Sequence, residues 1–249
     1  MQAVILLAGY GKRLRPLTDR IHKALVEVDG TPLLLNALNH LSGRDIDEVV
    51  LVVGDKWEQV QALVGGSYAG MKITYVVNER FRETNNVCSF LLAAPHLHDD
   101  VLLLECDLFY RRGLLDTLLE RGRDADCAIL VSPYDPARMD GTVVHAAPDG
   151  HVRSLAVKRA QGPGFDYAGA LKTVNIYRFS RAFVCDRLMP MVDAFVRTHG
   201  ENSYYELVIG ALVYFQLDDI RAVTVPPAQW AEIDDLDDLE AARRQFPHA

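Results

Sequence analysis

Residues 1–25 read MQAVILLAGYGKRLRPLTDRIHKAL. The apolar run QAVILLA has the length and composition of a buried β-strand. It closes on Gly9 and Gly11, then delivers Lys12, Arg13 and Arg15, and holds Lys23 back until the next apolar run. Open α/β sheets bind ligands where a strand's carboxyl end opens onto such a turn. Glycines let the backbone approach phosphate oxygens and aim N–H groups at them. Arg13 offers a forked, permanent charge and Lys23 a point charge. On the residues alone, two readings stay open: a loop that holds an anion, and a plain turn with solvated basic side chains. The dinucleotide fingerprint is excluded because its third glycine is missing, and the P-loop because no G-x-x-x-x-G-K-[ST] occurs. The surplus of cations points to a triphosphate.

Downstream, EVVLVVG (48–54), ITYVVN (73–78) and DVLLLEC (100–106) read as further buried strands. Thr31-Pro32 signals a helix start, with the helix running through LLLNALNHL to about Gly43, and WEQVQALV forms a second helix ending at Gly65-Gly66. Thr84 is expected to cap a helix through SFLLAAPHL. This alternation predicts a parallel sheet with helices on both faces. The second half differs. TVVHAAPDGHVRSLAV (142–157) is a hairpin turning at Pro-Asp-Gly, KTVNIYRFS (172–180) is a strand, and helices are expected at about 181–198 and 204–216. IRAVTVP and WAEIDDLDDLEAARRQF close the chain as a strand end running into a helix.

At 249 residues the chain is long enough for a sizeable core. Its formal net charge of −8 argues against nucleic acid or an anionic membrane as partner. No stretch approaches the roughly 20 apolar residues of a membrane span, and AVILLAG is too short for a signal-peptide core. The four cysteines form no CxxC pair, which indicates neither zinc nor a disulfide framework and fits a reducing cytoplasm.

Taken together, LAGYGKRLRPLT and the downstream KAL resemble the signature L-A-G-x-G-x-R-L-x-P-L-T…K-x-L of the nucleotidyltransferases that activate sugar phosphates and related compounds. RETNNVCSFLLAA (82–94) and WAEIDDLDDLEAA (230–242) are similar to segments of bacterial phosphocholine and phosphonate cytidylyltransferases. KTVNIYRFS and ENSYYELVI resemble especially the phosphonate branch, such as enzymes handling 2-aminoethylphosphonate; the middle, about 110–170, carries the likeness weakly. The resemblance implies a single Rossmann-like α/β domain with a mixed, mainly parallel sheet. Residues 1–109 and 220–249 would form its nucleotide-binding core, and 110–219 an inserted α+β acceptor-binding part.

The same resemblance implies roles for particular residues. Leu7, Ala8, Gly9 and Gly11 would cradle the nucleotide, with Arg13 on the β- and γ-phosphates and Lys23 between the α-phosphate and the acceptor. Asp107 and Asp234 would hold Mg2+, a hard cation served by one or two carboxylates plus phosphate oxygens. Glu105 lies two residues before Asp107 on the same strand face. Asn85, Asn86 and Ser89 are expected near the base and the acceptor, while Lys172, Tyr204, Tyr205 and Glu206 line the acceptor pocket. An aromatic wall with a carboxylate suits a cationic headgroup. Lys12 and Arg15 read as solvated, Asp235, Asp237 and Asp238 as helix-start acids, and all eight histidines as non-ligands.

The expected chemistry is magnesium-dependent transfer of CMP from CTP to a small phosphonate or phosphorylated amine or alcohol. The alternatives are a hexose-1-phosphate nucleotidylyltransferase using UTP or dTTP, and a non-catalytic nucleotide-binding subunit on the same fold. The apolar stretch LVIGALVYF fits either the core or a homodimer contact.

Overall fold

In the computed structural model, which describes residues 1–247, the opening apolar run forms β1 (Gln2–Leu7), buried throughout. The basic loop continues as a 3-10 turn (Lys12–Leu14), the short helix α1 (Leu17–Arg20) and a second 3-10 turn (Lys23–Leu25). A small ladder of β2 (Glu27–Val28) and β3 (Thr31–Pro32) precedes α2 (Leu33–Leu41), β4 (Glu48–Val53) and α3 (Trp57–Val64). Next come β5 (Ser67–Tyr68), β6 (Met71–Val77), α4 (Asn86–Ala93), β7 (Val101–Glu105) and β8 (Leu108–Tyr110). Then α5 (Gly113–Arg121), β9 (Cys127–Pro133), the hairpin β10 (Val143–Ala146) and β11 (Val152–Ala156), and β12 (Leu171–Phe179) follow. A π-helical segment (Phe183–Leu188) runs into α6 (Met189–His199). The chain then forms α7 (Glu206–Phe215), β13 (Ile220–Thr224), β14 (Trp230–Glu232) and α8 (Leu236–Gln245).

The mixed sheet is the expected α/β one. Parallel β4 and β7 flank β1, and β6 extends beyond β4. Antiparallel β12 joins β7, β9 joins β12, and β13 runs parallel to β9. From β1 the chain winds outward to β4 and β6, then returns to β7 on the other side of β1. That reversal opens a crevice beyond the carboxyl end of β1, where the basic loop lies.

Apolar side chains cover both faces of the sheet because each central strand is apolar at successive positions. Leu34, Leu38, Val60 and Leu115 from α2, α3 and α5 pack on one face, while Val87, Phe90, Val192 and Ile209 from α4, α6 and α7 pack on the other. A third cluster joins Leu14 of the basic loop to Phe109, Ile233, Leu239 and Phe246. It holds the loop against a two-stranded ladder in which β14 runs antiparallel to β8, Glu232 opposite Leu108.

Two local expectations shift. Thr31-Pro32 sits in β3, and the helix begins at Leu33. The cap of α4 is Asn85, whose side chain accepts from Asn86 N, whereas the Thr84 hydroxyl donates to Arg80 O. The Thr84 side chain is taken by the 78–84 turn, leaving the next residue to cap. Cys106 and Cys127 are buried and Cys88 and Cys185 half-buried, all as free thiols.

Candidate active site

Gly11 shapes the basic loop. Its φ of 61° is left-handed, and a Cβ there would stand 3.0 Å from Thr18 Cγ2 and 3.1 Å from Lys23 Cβ. The Thr18 hydroxyl donates to Gly11 O at 2.7 Å, so the loop closes on itself and turns Lys23 inward. Gly9 meets no atom within 4 Å at its Cβ position, so its own packing does not demand glycine.

His22 braces this turn. Its Nδ1 accepts from Ala24 N at 3.0 Å, which leaves Nε2 to donate to Leu7 O at 3.0 Å. The ring therefore ties the end of β1 to the backbone beside Lys23. Burial lowers its pKa to about 4, keeping the imidazole neutral.

The buried Lys23 ammonium lies between two carboxylates, 3.1 Å from Asp107 Oδ2 and 3.0 Å from Asp234 Oδ1. Arg13 reaches the other oxygen of Asp234 at 2.8 Å. Burial opposes the Lys23 charge, but Asp107 and then Asp234 outweigh it and raise its pKa. Burial likewise opposes the Asp234 charge, and Lys23 followed by Arg13 overcomes it, lowering the pKa. Asp107 lies in the turn between β7 and β8, after Cys106, and its carbonyl accepts from Ile233 N at 2.7 Å, so the β8–β14 ladder carries both carboxylates to one place. Asp238 fixes Asp234 from behind by accepting from its backbone N at 3.0 Å, and Asp235 completes the capping box of α8.

Asp107 Oδ1 is buried without a hydrogen-bond partner. A bare carboxylate oxygen beside a second carboxylate fits a hard divalent cation. Among the described residues no group of three or more His, Cys, Asp or Glu side chains is arranged to hold a metal. A cation here would therefore take its remaining ligands from phosphate and water.

A second polar network lies behind this centre. Asn86 Nδ2 donates to Glu105 Oε1 at 3.0 Å and to Glu206 Oε2 at 3.2 Å, while Asn86 Oδ1 accepts from Tyr205 N at 3.1 Å. The Tyr205 hydroxyl donates to Glu105 Oε1 at 3.1 Å. Burial raises the pKa of Glu105, with Asp107 and Glu206 adding to the effect, and burial also raises that of Glu206. Lys172 is only 1% exposed, and its Nζ lies 3.1 Å from Glu232 Oε2. Burial opposes the Lys172 charge, but Glu232 outweighs it and the pKa rises.

The sequence-named residues thus fall into groups. Arg13, Lys23, Asp107 and Asp234 meet directly. Asn86 and Glu206 share the second network, which Lys172 joins electrostatically. Leu7 and Ala8 bury their side chains, so only their backbone faces the loop. Asn85 caps α4, and the buried Ser89 hydroxyl accepts from Asn78 Nδ2 at 3.2 Å, holding the 78–84 turn. Tyr204 is exposed with Arg159 over its ring, but Tyr205 is fully buried against Phe90 and Tyr177, which puts it in the core and not on an open wall. Lys12 and Arg15 are exposed, yet both gather over the Tyr10 ring, at 5.5 and 5.4 Å from its centroid. His22, Glu232 and Asn175 escape sequence reading. His22 precedes the signature lysine and Glu232 lies two residues before Asp234, but neither type is distinctive without its neighbours.

A glycine loop at the carboxyl end of a central strand, a buried lysine and two converging carboxylates define the class: an α/β fold with a crevice suited to a metal-bound nucleotide. The chain belongs to the MobA-like NTP transferase domain family, whose profile matches residues 3–171. It is similar to CMP-5′-(3-aminopropyl)phosphonate synthase of Streptomyces rubellomurinus, 37% identical over 246 residues, 99% of this chain and 39% of that protein. It is also 37% identical over 137 residues to a UTP–glucose-1-phosphate uridylyltransferase of Haloferax volcanii, 54% of this chain and 55% of that one. The chain therefore spans less than two thirds of the length of either relative. Among solved structures, the CTP:phosphocholine cytidylyltransferase of Streptococcus pneumoniae shares the fold with a TM-score of 0.76 at 19% identity, covering 98% of this chain and 97% of that one. No helix among the described residues is long and apolar enough to cross a membrane.

Proposed function

We propose that the protein transfers CMP from CTP to a small phosphonate or phosphate acceptor, with Mg2+ as cofactor. The observation that carries this reading is the buried Lys23 ammonium held between Asp107 and Asp234, with Arg13 alongside. An acceptor oxygen attacks the α-phosphorus, the bond to the bridging oxygen breaks, and pyrophosphate departs with the electron pair. Lys23 lowers the repulsion between two anions brought together there, an electrostatic and positioning task. Arg13 offers a fork to the departing phosphates. Asp107 and Asp234 would hold the magnesium, which would supply Lewis-acid polarisation of the phosphate oxygens. Gly9, which its own packing does not require, leaves room for backbone approach to phosphate.

The acceptor we favour carries an amine. Glu105 and Glu206, joined through Asn86, supply carboxyl groups behind the transfer centre, and the Streptomyces relative is named for an aminopropylphosphonate. Pyrophosphate release with magnesium, crossing five nucleoside triphosphates with aminoalkyl- and hydroxyalkylphosphonates, phosphocholine and hexose-1-phosphates, tests the reading. Release confined to CTP with an aminoalkylphosphonate is the expected result. Release only with UTP or dTTP and a hexose phosphate overturns it, and nucleotide binding without release favours a non-catalytic subunit.

A further inference from the structure

Asn175 interrupts β12. Before it, Leu171 and Lys172 pair with β10; after it, Ile176 to Phe179 pair with β7; and the register against β9 breaks between Thr173 and Tyr177. Its φ of 57° is left-handed, which asparagine tolerates better than most residues but which still costs energy. The strained turn aims a buried amide at Glu232. Asn175 Nδ2 donates to Glu232 Oε1 at 3.0 Å, and the Thr173 hydroxyl donates to Asn175 Oδ1 at 2.9 Å, so the amide is oriented from both ends. The other Glu232 oxygen holds Lys172 Nζ, which also donates to Thr173 O at 3.0 Å and lies 6.0 Å from the Trp230 ring centroid. On the remaining side, Gly141 would place a Cβ 3.1 Å from Lys172 Nζ.

We infer that Asn175 is a positioning residue for the acceptor: acting through Glu232, it sets the place of the buried Lys172 ammonium, whose charge draws the acceptor's anionic group toward the transfer centre. This rests on the CMP-transfer reading above. The geometry is that of a strut between two sheets. β12 belongs to the main sheet, Glu232 belongs to the two-stranded ladder, and Asn175 joins them while leaving one Glu232 oxygen free for Lys172. An amide fits this role, since it donates to the carboxylate and accepts from Thr173 at once. Aspartate would face Glu232 with a like charge, and a β-branched residue would not adopt the backbone angle.

Asn175→Gly separates positioning from folding, because glycine accepts the left-handed angle without strain. The melting temperature should fall less than in the alanine variant, because relief of the backbone strain offsets part of the lost hydrogen bond to Glu232. The acceptor KM should rise about tenfold or more as Lys172 loses its fixed place, while the CTP KM changes less than twofold. Asn175→Ala, which keeps the strain and loses the amide, should show the same KM split with a lower melting temperature. An acceptor KM within twofold of wild type in Asn175→Gly, or equal losses for CTP and acceptor, overturns the assignment. If wild type transfers CMP to no acceptor, the CMP-transfer reading fails, and reductive methylation of Lys172 followed by peptide mass spectrometry still decides the strut. Methylation severalfold faster in Asn175→Gly supports it; an equal rate refutes it.

Discussion

Replacing Lys23 by methionine tests the centre most directly. The Lys23 side chain is 9% exposed and faces side chains that are 15% and 24% exposed, Asp107 and Asp234. Methionine fills similar space but leaves two carboxylates side by side without their shared cation, apart from the exposed Arg13 on one oxygen. Removing one partner of a buried ion pair costs about 3–5 kcal/mol. In a domain of this size each kcal/mol shifts the melting temperature by about 2–4 °C, so Lys23→Met should melt about 6–20 °C lower without metal at pH 7. Because the Lys23 pKa is raised, its contribution is intact below the ordinary lysine range and is lost only as the pH rises through the folded value. Because the Asp234 pKa is lowered, its contribution is present above the ordinary carboxylate range and fades as the pH falls. The deficit of the variant should therefore shrink at acid pH, as the Asp234 contribution fades in the wild type. Magnesium should raise the melting temperature of the variant more than that of wild type, since a cation there replaces the lost charge. Thermal unfolding with and without magnesium at pH 7 and pH 4 is the assay. A variant melting within 2 °C of wild type in EDTA, or gaining no more from magnesium, would refute the reasoning.

Three further outcomes follow from the same geometry. Asp107→Ala and Asp234→Ala should each lower CMP transfer by a factor of about 10² or more while retaining the native circular dichroism; full activity in either would sink the metal assignment. His22, neutral in the fold with a pKa lowered to about 4, takes up its proton only at lower pH than in the unfolded chain, so stability should fall as pH drops from about 6.5 to about 4 by about 3 kcal/mol. His22→Gln should flatten that slope in urea titrations, and an identical slope would count against the brace. Tyr205→Phe removes one donor from the buried Glu105 carboxyl and should cost about 1–3 kcal/mol in urea unfolding; unchanged stability would show that the hydroxyl contributes nothing there.

The sequence by itself determined the alternation of strand and helix, since apolar runs such as EVVLVVG are short, rich in β-branched residues and closed by glycine, which marks them as buried strands, and the punctuation by glycine and proline is local. It also exposed Arg13, Lys23, Asp107 and Asp234, because each stands in a long, specific pattern or directly after a strand. Tertiary structure alone decided the rest. Thr84 and Asn85 compete for one cap, and the 78–84 turn takes the first. Tyr205 reads as a pocket aromatic, yet packing against Phe90 and Tyr177 buries it. The meeting of Asp107 with Asp234 depends on the pairing of β8 with β14, strands far apart in the chain. Asn175 and Glu232 gain meaning only where a break in β12 turns an amide toward that ladder and so fixes Lys172, which the sequence had already named. Propensity and periodicity act within a few residues, whereas the electrostatics of a buried site depend on which distant side chains share one low-dielectric space.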